Sequence, residues 1–159
     1  MKLVKNVLLV MFGTEKSIDA ARFAVMFCAE NECELSALYI IDTSTLKELL
    51  ISKIFIEEES KEYEKSLELD GEKYLNLVVE MAKTKKLKAK KILKRGMISA
   101  EILNTAREEK SDLIIIADVK ESKSRRNLIS MESRYLLVNS DIPVLIVKGE
   151  DLERKFKKF

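Results

Sequence analysis

The chain's most restrictive feature is an alternation of apolar runs, at residues 6–12, 34–41, 113–117 and 143–147, with stretches of helical spacing. A strand with one wet face alternates apolar and polar residues, whereas one buried on both faces reads as a nearly continuous apolar run. Strands of the second kind belong to parallel sheets with helices on both faces. A fifth run, KAKKILK at 88–94, alternates weakly and suits an outer strand whose lysines guard the edge. Thr14 is placed to cap a first helix with Ile18, Ala21, Val25 and Cys28 on its inner face. Residues 46–85 carry Leu46, Leu49, Leu50, Ile54, Tyr63, Leu67, Tyr74, Leu77, Val78 and Met81 at helical spacing. A helix of that length would overhang so small a core, so a break is predicted near 57–60 or at Gly71. Ser99 is placed to cap a helix with Ile102, Leu103 and Ala106 inward, and residues 128–138 form a last crossover helix. The expected fold is α/β, a three-layer sandwich around a five-stranded, mostly parallel sheet, and right-handed crossovers leave few strand orders.

A chain of 159 residues fits one domain, here 1–149, followed by a charged tail at 150–159. The tail has Leu152, Phe156 and Phe159 at helical spacing, to pack back on the domain or on a partner. Lys and Arg total 29 against 27 Asp and Glu, a net charge of +2, which gives no general attraction to nucleic acid or membrane. No aromatic residue is interleaved with the basic residues of 120–126, which further disfavours a nucleic-acid partner. The opening MKLVKNVLLVMFG reads as a first core strand rather than a leader, and no run approaches the roughly 20 apolar residues of a membrane span. A cytoplasmic location is the expectation. Cys28 and Cys33 lack the spacing of a zinc or redox motif and are read as buried reduced thiols.

The chain contains no histidine, which excludes His-based triads, His metal ligands and imidazole acid–base work. The carboxylates Glu57, Glu58 and Glu59, and the pair Glu108 and Glu109, fall on polar helix faces. Neither G-x-x-x-x-G-K-[ST] nor G-x-G-x-x-G occurs. Asp42, closing the second strand, could touch a ribose or cap the next helix, and the residues around it favour the cap. The loop after the fourth strand, where an α/β sheet commonly holds its ligand, has no glycine and carries Lys120, Lys123, Arg125 and Arg126. It reads as a solvated basic loop, with an anion or an acidic protein partner as the other readings.

The segments NVLLVMFGTEKS, LSALYIID, RGMISAEILNTAREEKSDLIIIA and NSDIPVLIV together resemble the universal stress protein family over nearly the whole chain. The resemblance implies a Rossmann-like sheet, of the adenine nucleotide alpha hydrolase type, in the order 3-2-1-4-5. It also implies a homodimer through the fifth strand, from Pro143 to Lys148, and in many members a bound ATP. The family's nucleotide motif, G-x2-G-x9-G-[ST], falls here on Ala117, Lys120, Ser130 and Met131, so its three glycines and its hydroxyl are missing. Glycine lets the backbone approach phosphates closely, and its loss removes that approach. The Asp that faces adenine in nucleotide-binding members is Phe12 here, expected to be buried and to fill the adenine end of the pocket. The chain therefore resembles the branch that does not bind ATP, acting in stress response or regulation, with no catalytic residue, metal or cofactor assigned. The alternative is a nucleotide-binding member, with weak ATP hydrolysis at most, using Gly13, Thr14, Ile40 and a modified basic loop around Lys120 and Ser130.

Overall fold

A computed structural model of the chain describes residues 1–117 and 126–159, with side chains throughout except those of 126–132. The apolar run at the start forms β1 (Asn6–Met11), which is followed by α1 (Glu15–Asn31) and β2 (Glu34–Asp42). Then come α2 (Thr43–Ile51), α3 (Glu57–Thr84), β3 (Ala89–Gly96), α4 (Ile98–Glu108) and β4 (Leu113–Ala117). The chain ends in α5 (Arg126–Asn139), β5 (Val144–Val147) and α6 (Leu152–Lys158). The strands pair in parallel in the order β3-β2-β1-β4-β5.

Alternation along each strand divides the core in two. Val7, Leu9 and Met11 of β1 face the side covered by α1 and α3, where they join Ala21, Val25, Leu75 and Val78. Leu8 and Val10 face the other side, with Ile102, Leu103 and Ala106 of α4 and Leu136 of α5. Burial on both faces is the physical reason that β1 and β4 read as unbroken apolar runs. Asp112 ties the start of β4 to that of β1, its Oδ2 accepting the N–H groups of Lys5 and Asn6, each at 2.9 Å. Cys28 and Cys33 are buried free thiols, and burial, with Cys33 beside it, pushes the Cys28 thiol up to about 12.

Several local expectations need correction. The break in the long helical region falls at 52–56, and α3 runs through Gly71 without interruption. Lys53 stops α2 in the left-handed conformation, and α3 restarts where Glu59 accepts the Ile56 N–H at 3.3 Å. Glu57, Glu58 and Glu59 open α3, where its positive end favours carboxylates. Ser99 does not cap α4: Met97 holds that position without a side-chain bond, and Ser99 is buried in the first turn. The tail packs back, with α6 resting on α1, Leu152 buried, and the Lys85 ammonium 4.5 Å from the Phe156 ring centre.

Candidate functional site

Beyond the carboxyl ends of β1 and β2 the chain encloses a cavity of about 550 Å³, bounded by these strand ends and by residues of α2 and α3. Topology accounts for its position. The connection from β1 to α1 and that from β2 to α2 both leave the sheet on this edge, and ligands of open α/β sheets bind outside the carboxyl ends of the strands.

The turn after β1 is tightly determined. Thr14 caps α1, its Oγ1 accepting the Ser17 N–H at 3.3 Å, and Ser17 Oγ accepts the Phe12 N–H at 2.9 Å. Gly13 has φ +70°, and a Cβ there would lie 3.3 Å from the Tyr39 hydroxyl. Its carbonyl accepts the Tyr74 hydroxyl at 3.1 Å, which pins α3 to this turn. Asp42 caps α2, taking the Thr45 N–H at 3.0 Å and the Thr45 hydroxyl at 2.7 Å, so its carboxylate is committed to the helix start.

Of the residues singled out from sequence, Phe12, Gly13, Thr14 and Ile40 all line this cavity. Phe12 is half-buried rather than buried: it packs on the cluster beneath α4 and α5 while its exposed part forms cavity wall. Ala117 is buried at the end of β4 and belongs to the core on the α1 side. Ser130 and Met131 lie within α5. Lys120, Lys123 and Arg125 lie outside the described residues.

Sequence reasoning missed the aromatic walls. Tyr39 and Tyr74 stack with ring centres 6.4 Å apart and planes 7° apart, and Phe55 meets Tyr63 edge-on at 5.7 Å. With Phe12, five of the chain's ten aromatic side chains line this one cavity. In the sequence Tyr63 and Tyr74 read only as part of a helical core stripe, and no sequence signal says that such a stripe borders empty space. Asp70 and Lys73 stand exposed on α3 among the lining residues. Burial pushes the Tyr39 phenol up, and Asp70 adds to the effect, so Tyr39 is a protonated hydrogen-bond donor at neutral pH.

A larger crevice of about 670 Å³ between α1 and α6 is lined by Glu15 and by six charges that pair among themselves. Arg22 meets Asp19 at 2.7 Å, Lys157 meets Glu153 at 3.4 Å and Arg154 meets Asp151 at 3.8 Å, so little binding capacity is left open.

A parallel 3-2-1-4-5 sheet with a cavity beyond its central strands defines an α/β protein of the Rossmann-like class, with open space where that class holds its ligands. Residues 4–148 match the universal stress protein family model, and the chain belongs to that family. It is 30% identical over 149 residues to universal stress protein YxiE of Bacillus subtilis, covering 90% of this chain and 98% of that one. It is 27% identical over 153 residues to universal stress protein MJ0531 of Methanocaldococcus jannaschii, covering 92% and 83%. Its fold matches the universal stress protein UspA from Lactobacillus plantarum with a TM-score of 0.74 at 16% identity, over 91% of this chain and 98% of that one. The same fold is shared, at a TM-score of 0.65 and 12% identity, by an Arabidopsis thaliana family member with AMP bound, over 92% and 94% of the two chains. Among the described residues no helix is long and apolar enough to cross a membrane.

Proposed function

We propose that this chain is a regulatory, non-enzymatic universal stress protein of the cytoplasm that works as a homodimer and does not hold ATP. Phe12 carries the reading. Where the family resemblance puts a carboxylate facing adenine, this chain has a phenyl ring in the cavity wall, which offers no acceptor to an adenine amino group. A buried polar group left unpaired costs about 1–3 kcal/mol, and the missing glycines and hydroxyl of the phosphate motif add to that loss without being strictly additive.

Thermal melting with 1 mM ATP and Mg²⁺ at physiological salt tests this. A dissociation constant of about 10 μM would stabilise the protein by about 2.7 kcal/mol, raising Tm by several degrees for a chain of this size. The expected result is no shift. A rise of that size with ATP would overturn the proposal.

The second reading, nucleotide binding through a modified basic loop, is favoured by the AMP-bound relative of the same fold and by the positive φ of Gly13 at the cavity's edge. Under that reading the purified protein retains an adenine nucleotide, which mass spectrometry of the native preparation would detect.

A further inference from the structure

We infer that the surface where α6 meets the turn after α3 binds single-stranded nucleic acid. This surface lies at the carboxyl end of α3, whereas the cavity borders Tyr63, Leu67 and Tyr74 earlier in that helix, so the two are independent. The net charge of +2 hides a local asymmetry. Residues 83–95 carry eight lysines and arginines, residues 154–158 carry four more, and neither segment contains a carboxylate.

The fold sorts these cations into two groups. Those of β3 are paired from neighbouring helices: Lys90 with Glu109 at 2.6 Å, Lys94 with Glu108 at 3.0 Å and Arg95 with Glu68 at 2.9 Å. Lys83 meets Glu80 within α3, and Arg154 and Lys157 pair within α6. Among the described residues, none of Lys85, Lys86, Lys88, Lys155 and Lys158 has a carboxylate within 4.0 Å. Lys85 joins the two segments, its ammonium lying 4.5 Å from the Phe156 ring centre and 6.0 Å from that of Phe159. The lysines of the turn and those of α6 therefore converge on one surface. Cations gathered without carboxylates repel one another in the free protein, and a polyanion relieves that repulsion.

The rings decide which polyanion. The end of the chain reads RKFKKF, cations interleaved with aromatic residues, which the basic loop at 120–126 lacks. Phe156 packs on the core under α1 and α3, whereas Phe159 is 52% exposed beside the Lys85 ammonium. A base stacks on such a ring while its phosphates reach the neighbouring ammonium groups. An acidic peptide brings no base to the ring. A membrane surface requires an outward apolar helix face, and α6 turns its own, Leu152 and Phe156, into the protein. Lysine is a point charge that holds phosphate without reading base edges, so the binding is independent of sequence.

Fluorescence anisotropy of a labelled 20-nucleotide oligothymidine, titrated with the full chain between 50 and 200 mM KCl, tests the inference. With five lysines each neutralising a phosphate at about 0.7 per contact, the logarithm of the binding constant should fall against that of salt with a slope of about −3.5, about a hundredfold over this range. Lys155→Glu with Lys158→Glu should weaken binding at least tenfold. Lys61→Glu with Lys65→Glu makes the same change of charge on α3 about 30 Å from the turn, and should weaken it less than threefold. Phe159→Ala should weaken the oligothymidine at least fivefold and leave an abasic strand of equal length unaffected. Melting checks that each variant is folded. Absence of binding at 50 mM KCl, or equal loss in the two charge-reversal pairs, overturns the site. An abasic strand bound as tightly as the oligothymidine, Phe159→Ala binding like the parent, or a preference for phosphatidylserine vesicles or polyglutamate overturns the assignment to nucleic acid.

Discussion

Gly71 lies in the middle of α3, where alanine would ordinarily be the better helix former by about 1 kcal/mol. A Cβ at this position would sit 2.6 Å from Cδ1 and 2.9 Å from Cε1 of Tyr39, a buried ring held by its stack on Tyr74. The glycine therefore serves close approach of α3 to β2 rather than a break, and it also shapes the wall of the cavity. Gly71→Ala is expected to destabilise by about 1–3 kcal/mol through overpacking, against the propensity gain, as read by urea denaturation. Phe12→Asp acts at the same site. It removes a half-buried ring and places a carboxylate against apolar walls, so a loss of about 1–2 kcal/mol and a lower Tm are expected. An unchanged Tm would mean that the ring contributes nothing to the wall. Asp112 gives a pH dependence of definite sign. The N–H groups of Asn6 and Lys5 hold its carboxyl below the usual 3.8, so its contribution is complete above that value and is lost as the pH falls through the lower folded value. Asp112→Asn should lower Tm at pH 7, and the difference from the parent chain should shrink on titration to pH 3.

The first four helices share one kind of ending. Glu32, Lys53, Lys86 and Lys110 adopt φ between 53° and 60°, and the following residue in each case donates its N–H five residues back, to the carbonyls of Cys28, Leu49, Ala82 and Ala106. This is the Schellman pattern, which usually has glycine at the left-handed position. Lysine at three of the four ends places a cation at the negative pole of the helix while accepting backbone strain. Lys86→Gly is expected to stabilise by about 0.5 kcal/mol, whereas Lys86→Val, β-branched in the same conformation, should cost about 1–2 kcal/mol. Calorimetric melting of the two variants gives the opposite signs directly. These endings also explain what the sequence left hidden. β1, β2 and β4 were legible because burial on both faces imposes continuous apolar runs, and the order 3-2-1-4-5 came from the family resemblance. The end of α2 was not legible, because Lys53 carries no glycine signal. Gly71 pointed to a break because its real cause, the Tyr39 ring on another element, is a long-range contact. At the cavity, Phe12, Gly13, Thr14 and Ile40 came from the family resemblance, whereas the aromatic walls depend on how α3 crosses β2.

At the scale of the molecule, the β5 edge of the sheet decides whether the chain works alone. The Ile114 N–H donates to the Pro143 carbonyl at 2.9 Å, so the backbone groups of Pro143 turn toward β4. In a parallel ladder those of Leu145 and Val147 then do the same, which leaves the N–H groups of Val144 and Ile146 directed at the open edge. The side chains do not point there. Leu145 packs on the cluster under α1 and α3, and Val144 and Ile146 on the one under α4 and α5. Lysine at Leu145 or Ile146 would therefore damage this chain's own core, and a backbone change is the better probe of pairing. The last helix before the edge, α5, buries Leu136 against the same cluster as Ile146 but leaves Tyr135, Leu137 and Val138 43%, 56% and 77% exposed. An apolar edge strand with outward N–H groups, beside a helix with exposed apolar side chains, suits a two-fold pairing in which each copy presents the same surface. Ile146→Pro removes one outward N–H and keeps the bonds to β4, and proline is tolerated on an edge strand. Sedimentation equilibrium is expected to show a dimer at micromolar concentration for the parent chain. For Ile146→Pro, dissociation should be at least tenfold easier, with helical circular dichroism unchanged. A parent chain that sediments as a monomer would remove the dimer from the proposed function, and a variant that stays dimeric would move the interface away from this strand.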